Sequence, residues 1–455
     1  MNNTIVLLFA RIFEKGIMFL FFILLVQTFG KGELGEFSYY YSIIAIIFIF
    51  IDVGGELYQV KEFSKKENLQ IFNTIFVLKT VIYLFFLSLM VLFNSNIYII
   101  ILFSSYYLYS IILIFRSSLY NHQNYILDAK YVIMEKSIFL IIILFNLMTL
   151  QELLVVYLAF LLSRSIYLLV LFNKFYKLKY VINFKKLFNP EFAKQYLFNS
   201  WSYILNSLLV VVFVQIDIIM LKHMGVSFED IGLYSVAIRM YVIPIIFSDV
   251  LFSQYYPKVA KYIHNNENAL LKKLILRVQH INIFFSVYFT IFTVLFANEI
   301  VYYGFGEAFS ESSKMLILLS IIVVFRFSMN TYTALLSSSN LNHIRLYTSI
   351  VCVVLNIGLN YLLIPKYGVY GAIFATIVTE FAFVLLYKIS SFKIIFTNYI
   401  TIKEVLALSI SLTIIYLAVL YEVSLINRVI IFSLLLLSLI INFKTIKHQL
   451  NFKEL

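Results

Sequence analysis

The sequence predicts an all-α protein that crosses a membrane many times. Hydrophobic residues make up 62% of the 455 residues and charged residues only 13%, against about 25% charged in a soluble domain. With a mean hydropathy of +0.94, the chain has more apolar side chains than a water-soluble core can bury. They form runs long enough for a helix to cross about 30 Å of hydrocarbon, and the strand-length alternation of a membrane barrel is missing.

Twelve to fourteen transmembrane helices are predicted, because the last two of fourteen apolar runs are short. The runs lie near 8–29, 37–57, 70–93, 97–116, 131–150, 152–173, 197–221, 232–256, 279–298, 314–337, 345–364, 369–388, 404–421 and 425–442. No small-residue cleavage site follows the first run, so we expect it to stay as a helix and not to be removed as a signal peptide.

The loop charges predict the orientation. With the N-terminus inside, the inner loops and tail hold twenty-three of the 35 Lys and Arg residues, whereas the outer loops hold five and collect most of the loop acids. Lys and Arg accumulate in cytoplasmic loops, so both termini are predicted to be cytoplasmic. The net charge of +12 is then mostly a topology signal, and nucleic acid is not an expected partner because no loop supplies a soluble basic patch.

The longest inner loop divides the chain. Lys174 to Gln195 mixes lysines with aromatic residues and is interrupted at Pro190; an interfacial linker and a plain solvated loop both fit it. The predicted domains are an N-lobe (1–173), a basic cytoplasmic linker (174–196), a C-lobe (197–390) and a C-terminal extension (391–455).

A short internal repeat supports two related lobes. Residues 33–56 align with 230–253 without a gap and share six identities. The pairs are Gly35 with Gly232, Ser38 with Ser235, Ile46 with Ile243, Phe50 with Phe247, Asp52 with Asp249 and Val53 with Val250. Six spans per lobe is an even number, so the lobes should enter the membrane in the same direction and be related by a pseudo-twofold axis along its normal. Arg239 has no basic counterpart, since Ser42 stands at the matching position.

Charged residues inside the predicted spans indicate a polar interior. Each central charge costs about 2.5–3.5 kcal/mol on insertion scales, so several of them imply a cavity. Arg164, Arg239 and Arg326 lie near mid-span; a role in a cavity and a buried ion pair are both open. Glu135 and Lys136 lie one turn into a span, where they can pair or reach the interface.

The polar residues favour binding over metal or thiol chemistry. Arginine grips phosphate in forked hydrogen bonds, while mid-span acids suit a proton or sodium ion, or act as counter-ions to the arginines. The single Cys352 allows no intramolecular disulfide, and the six histidines show no metal-ligand spacing, so no metal or other cofactor is expected.

Three motifs resemble one transporter family. They are "NIGLNYLLIPKYGVYGAIFATIVTE" (Asn356–Glu380), the paired entrances "FGKGELGEFSYYYSI" and "MGVSFEDIGLYSVAI", and "QIDIIML" (Gln215–Leu221). Over Ala10 to about Ser390 the chain resembles the polysaccharide transporters of the multidrug/oligosaccharidyl-lipid/polysaccharide exporter (MOP) superfamily, in particular the Wzx-type flippases of O-antigen and capsule repeat units.

The resemblance implies a fold like that of the MATE transporters, with two six-helix lobes around a V-shaped cavity, in the bacterial inner membrane. It also implies a transporter, not an enzyme. The implied cargo is an undecaprenyl-pyrophosphate-linked oligosaccharide, moved from the cytoplasmic to the periplasmic leaflet, with H⁺ or Na⁺, a polysaccharide polymerase and a chain-length regulator as further partners. The candidate residues for substrate binding in a cationic lumen are Arg11, Lys15, Lys79, Arg164, Arg239 and Arg326. The candidate ion-coupling or counter-ion acids are Glu14, Asp52, Asp217, Asp249 and Glu380.

Two other functions stay open at this point. A drug or cation antiporter of the same fold would prefer an acid-rich lumen, whereas basic residues here at least match the acids. A membrane-embedded polysaccharide polymerase or glycosyltransferase would need a large outer loop or clustered loop carboxylates, and neither pattern is visible.

Overall fold

The computed structural model of the chain describes residues 3–65, 69–93, 95–122, 124–177, 189–339 and 341–391, together with Thr413 and Ser433. The regular structure of these residues consists of thirteen α-helices and one short 3₁₀ turn, with no strand. The chain divides into two compact units, Met1–Ile219 (unit 1) and Met220–Leu455 (unit 2).

Unit 1 is built around its fourth helix. Its helices are α1 (Asn3–Asp52), α2 (Gly55–Lys65), α3 (Leu69–Leu92), α4 (Ile97–Asn121), α5 (Tyr125–Met148), α6 (Leu153–Lys177) and α7 (Pro190–His223), which ends just past the unit boundary. α4 packs against α1, α2, α3, α5 and α6. Both halves of α1 join α5 and α6 through a buried aromatic core, in which the ring of Phe21 lies 5.1 Å from that of Phe139 and 5.5 Å from that of Phe160.

Unit 2 is built around α11. Its helices are α8 (Phe228–His264), α9 (Asn268–Phe305), α10 (Glu311–Leu319), α11 (Ile321–Ser338), α12 (Asn342–Tyr367) and α13 (Val369–Ser391). α11 packs against α8, α9, α12 and α13. Local capping fixes several helix ends: the Ser227 hydroxyl accepts the backbone N–H of Asp230 at the start of α8, and Gly306 ends α9 with φ 90°.

The all-α polytopic fold is confirmed. In the described part of the chain, ten helices are long and apolar enough to cross a membrane, and they correspond to the third to twelfth predicted spans. The first two predicted spans lie in two helical segments of α1 on either side of Gly30, whose non-helical backbone (φ 85°, ψ −172°) makes a kink between them. The last two, 404–421 and 425–442, lie outside the described residues.

The predicted linker is partly helical. α6 runs to Lys177, and α7 begins at Pro190, where the Asn189 side chain accepts the backbone N–H of Phe192. Proline suits the first turn of a helix, because its missing N–H would have no partner there. Residues 178–188 lie outside the described residues, so the predicted domain boundaries stay a prediction.

The internal repeat has a structural counterpart. With the offset of 197 residues, the kink at Gly30 of α1 falls on Ser227, the N-cap of α8. Gly35, Ser38, Gly232 and Ser235 are all buried. The two copies differ after the aligned aspartates: α1 stops at Asp52 and α2 follows as a separate helix, whereas α8 continues to His264.

Two glycines make close helix contacts that no other residue allows. Gly54, between α1 and α2, has φ +94°, and a Cβ there would lie 2.8 Å from the Cβ of Ser200. A Cβ at Gly371 in α13 would lie 2.5 Å from the backbone of Leu363 in α12. The predicted turn before α13 is shorter than expected, because α12 stays helical through Pro365 and turns only at Gly368.

Candidate functional site

Unit 1 contains a cavity of about 420 Å³, lined by α1, α4, α5, α6 and α7. Its charged lining residues are Glu14, Lys136 and Arg164, and Gln215 adds a side-chain amide. The remaining wall is aliphatic and aromatic and includes three tyrosines, Tyr41, Tyr106 and Tyr109. An apolar wall with a few converging polar groups is the usual form of a ligand site.

Glu14 and Glu135 bring the cations of three helices together. The Oε2 atom of Glu14 lies 3.2 Å from an Nη atom of Arg11, one turn away on α1, and its Oε1 atom lies 3.9 Å from the Nζ atom of Lys136 on α5. Lys136 also donates to the Oε1 atom of Glu135 at 3.1 Å. Glu135 and Lys136 are both buried, with 3% and 4% of their surface exposed, so they pair within the protein.

Arg164 is fixed from several sides. Its Nη1 atom donates to the Ser105 hydroxyl at 3.0 Å, and its Nε atom lies 3.9 Å from Glu135. The guanidinium carbon lies 4.7 Å and 4.9 Å from the ring centres of Tyr106 and Tyr109. Cation–π contacts of this kind hold a desolvated guanidinium in place.

These residues form the unit 1 charge cluster, which consists of Arg11, Glu14, Glu135, Lys136 and Arg164. These five side chains carry three positive charges and two negative charges, which is a net charge of +1 for the cluster beside the cavity. Such an arrangement favours a ligand with a negative group, because an excess cation in a low-dielectric wall gains most from a counter-charge.

A chain of hydrogen bonds extends the cluster along α4 and α5. The Nη2 atom of Arg11 donates to the Tyr120 hydroxyl at 2.6 Å, and that hydroxyl donates to Asp128 at 2.9 Å. Arg116 and Asp128, both fully buried, form an ion pair at 2.8 Å. This second pair is neutral as a whole, so it positions Arg11 without changing the charge of the cluster.

Lys79 and Asp52 lie apart from the cavity lining. The Nζ atom of Lys79, which is fully buried, donates to the Oδ1 atom of Asp52 at 2.9 Å and to the carbonyl of Ser110 at 2.8 Å. The Gln59 side chain donates to the carbonyl of Asp52 at 3.1 Å. These contacts clamp the end of α1 against α3 and α4.

Two other sequence candidates of unit 1 also lie apart from the lining. Lys15 is exposed, although its neighbour Glu14 lines the cavity, because adjacent helical residues point about 100° apart. Asp217 is buried on α7. At the position that matches Arg239 in the repeat, the hydroxyl of Ser42 donates to Gln215 at 2.8 Å.

The unit 2 candidates fall into two places. Arg326 on α11 pairs with Glu380 on α13, which is fully buried. Asp249 on α8 is exposed and accepts a hydrogen bond from Asn330 at 3.2 Å, while Arg239 on α8 is half-buried. The two aligned aspartates therefore differ, since Asp52 is a buried ion-pair partner and Asp249 is exposed.

Several cavity residues were not among the sequence candidates. They are the cavity residue Lys136 and the three tyrosines; Glu135 of the charge cluster, next to the cavity lining, was also missed, since it and Lys136 lie close to a predicted span end. The available signal was the i, i+3 spacing of Tyr106 and Tyr109, which puts both rings on one face of α4. Among the described residues, no group of three or more His, Cys, Asp or Glu side chains is arranged to hold a metal ion.

Comparison with known proteins identifies the family. A family model described as "Polysaccharide biosynthesis protein" matches residues 1–263, more than half of the chain. The chain belongs to this family. No curated protein sequence matches it.

Solved structures show which fold this family member has. A lipid II flippase MurJ in an inward closed conformation matches with a TM-score of 0.74 at 16% identity, over 97% of this chain and 100% of that one. An inward-facing multidrug resistance MATE transporter of the MOP superfamily matches with a TM-score of 0.66 at 14% identity, over 86% and 98%. A MOP superfamily transporter from Pyrococcus furiosus, described as having a binding pocket of reverse polarity, matches with 0.58 at 12%, over 86% and 96%. The predicted MATE-like helical fold is thus confirmed.

Proposed function

We propose that this protein is a flippase that moves lipid-linked oligosaccharide repeat units across the bacterial cytoplasmic membrane by alternating access. The cargo is an O-antigen or capsule repeat unit on undecaprenyl pyrophosphate, carried from the cytoplasmic to the outer leaflet. In this proposal both termini are cytoplasmic, residues 1–173 and 197–390 form the two lobes, and a polymerase with its chain-length regulator receives the product.

The observation that carries the proposal is the unit 1 cavity with its charge cluster. The cluster has one excess positive charge, which suits the phosphate end or another anionic group of the cargo. The aromatic lining suits the C–H faces of sugar rings. The polysaccharide biosynthesis family and the fold shared with a lipid II flippase point to the same class of cargo.

The remaining candidates have distinct proposed roles. Arg239 and Arg326 are the proposed basic contacts for the cargo in unit 2, with Glu380 as the counter-ion of Arg326. Glu14 is the proposed acid for coupling to H⁺ or Na⁺, since it lines the cavity. Drug antiport is less favoured, because a cationic drug would meet a cluster that is itself positive.

Deletion of the gene tests the proposal directly. We expect lipid-linked repeat units to accumulate on the cytoplasmic leaflet and surface polysaccharide to be lost, and the wild-type gene to restore both. Normal surface polysaccharide in a clean deletion strain without a paralogue would overturn the flippase proposal.

Variants of the unit 2 arginines test the proposed basic contacts. Arg239→Ala and Arg326→Ala should lose transport, while Arg239→Lys and Arg326→Lys should retain part of it because the charge stays. Transport is measured as surface polysaccharide in the deletion strain, normalised to protein abundance in the membrane. If all four variants behave like wild type, the assignment of basic contacts for the cargo to unit 2 is wrong.

A further inference from the structure

A second cavity lies in unit 2, where α9 ends and the chain turns into α10. Its volume is about 330 Å³. α9 contributes Asn298, Glu299, Tyr302 and Tyr303 to the wall. These four residues share one face of the helix, since residues three or four positions apart are neighbours on its surface.

The opposite wall is held rigidly. It includes Ser310 and Ser313, and the hydroxyl of Ser313 donates to the carbonyl of Ser310 at 2.6 Å. Next to Ser313, the hydroxyl of Ser312 donates to the carbonyl of Leu233 at 2.9 Å, which fixes the start of α10 to α8. The buried ring of Phe309 supports the turn, so the cavity has a preformed shape.

The two tyrosines form an aromatic corner. Tyr302 is 56% exposed and Tyr303 80% exposed, and their ring centres lie 5.4 Å apart with the planes at 82°. An aromatic face packs well against the C–H face of a sugar ring, while Asn298 and Glu299 offer the amide and carboxylate groups that bind hydroxyls. Tyrosines of an interfacial belt only need to reach the headgroup layer, whereas these two line a cavity together with Asn298 and Glu299.

The charge around this cavity is opposite to that of the unit 1 cluster. Residues 298–314 carry three acids, Glu299, Glu307 and Glu311, against the single base Lys314. A phosphate or carboxylate group is therefore repelled, whereas hydroxyl and amino groups are favoured.

We propose that this cavity is a carbohydrate subsite for a sugar ring that is uncharged or carries an amino group. The inference rests on the proposed function, because a moved oligosaccharide supplies the sugar. Glu299 belongs to a predicted outer loop, so the subsite contacts sugar on the side to which the cargo is delivered. Its expected ligand, a neutral or basic sugar, differs in charge from the anionic group proposed for the unit 1 cavity.

Saturation-transfer NMR on the full-length protein in nanodiscs tests the subsite, with methyl α-glucoside, glucosamine and glucuronate as probes. We expect the first two to bind and glucuronate to bind more weakly. Tyr302→Ala should weaken glucoside binding by about two- to tenfold, because one aromatic contact is lost. Tyr302→Phe should retain most of the binding, and Glu299→Gln should remove the preference for glucosamine over glucuronate.

Tyr361→Ala is the matched control, since Tyr361 is 69% exposed on α12 and does not line the cavity. The subsite would be overturned if Tyr302→Ala and Tyr361→Ala weakened the binding of methyl α-glucoside equally. It would also be overturned if glucuronate bound as tightly as glucosamine. If none of the three sugars binds but the wild-type gene restores surface polysaccharide, the subsite is overturned and the proposed function is not. Selective binding without restoration of polysaccharide supports the subsite and overturns the proposed function.

Discussion

The two units hold buried charge in different ways. In unit 2, Arg326 and Glu380 form an ion pair whose charges cancel. In unit 1, three cations share two carboxylates beside a cavity. In a one-to-one pair, each charge is present because the other would be costly in free energy if it were buried without a counter-charge. A cluster with more cations than carboxylates beside a cavity favours a ligand that brings a negative charge.

The same contrast exists within unit 1. Lys79 and Asp52 pair one to one, and the carbonyl of Ser110 and the Gln59 side chain complete their contacts. They lie apart from the cavity lining, like the pair in unit 2. Thus the arrangement of charges, and not membership of a unit, separates one-to-one pairs, which hold helices together, from a cluster whose cations outnumber its carboxylates beside a cavity.

The largest predicted effect is the loss of stability when the unit 2 pair is broken. Glu380→Ala removes the carboxylate that faces Arg326, and losing one member of a buried pair costs about 3–5 kcal/mol. We expect low abundance in the membrane and a large decrease in the free energy of unfolding, measured with SDS in mixed micelles.

Replacement of both partners is the control for this prediction. The double variant Arg326→Leu/Glu380→Leu should recover most of the unfolding free energy, because no charge is then left in the interior. It should not recover transport if Arg326 also contacts the cargo. A double variant as unstable as Glu380→Ala would contradict the ion-pair explanation.

A smaller loss of stability and a larger loss of function are expected in unit 1. Lys136→Ala leaves each carboxylate of the cluster with one cation: Glu14 lies 3.2 Å from Arg11, and Glu135 lies 3.9 Å from Arg164. The free energy of unfolding should therefore decrease by less than the ~3 kcal/mol expected when a buried pair is broken. Surface polysaccharide should nevertheless fall strongly, because the excess positive charge is gone. Lys136→Arg keeps the charge and should keep part of the activity. Normal polysaccharide with Lys136→Ala would show that the excess charge is not used.

The fold was largely predictable because a membrane restricts the secondary structure that a spanning segment can adopt. Backbone groups in lipid must bond within a helix, so apolar runs predict helical spans, and ten of them coincide with helices that are long and apolar enough to cross a membrane. The break between the first two spans was predictable, but its length was not. Gly30 to Glu33 has the composition of a loop, yet only Gly30 has non-helical backbone and the second helical segment follows it directly.

The candidate site was less predictable because it depends on distant residues meeting. Arg164 was visible as a charge in mid-span, and the structure gives it a place in the cavity wall. Lys136 was not favoured, because only the packing of α5 against α1 brings it to Glu14, more than a hundred residues away in sequence. Lys79 looked equivalent to Arg164 in the sequence, but helix packing turns it toward Asp52.

A moderate effect is expected from the rings around Arg164. Tyr106→Leu keeps an apolar side chain but removes a ring centred 4.7 Å from the guanidinium, a contact worth about 0.5–2 kcal/mol. Tyr106→Phe keeps the ring and should stay close to wild type. The free energies of unfolding of the two variants are compared with SDS in mixed micelles. An equal decrease in both would assign the effect to the hydroxyl group and not to the ring.

The smallest effect is expected at Lys15, next to the cluster in sequence but not part of it. Its side chain is exposed and does not line the cavity, so Lys15→Ala should change the unfolding free energy by no more than about 0.5 kcal/mol. Surface polysaccharide should stay near the wild-type level, in contrast to Lys136→Ala, although both changes remove one positive charge. A strong loss of transport with Lys15→Ala would mean that any cation near the end of α1 serves the cargo, and that the charge cluster has no special role.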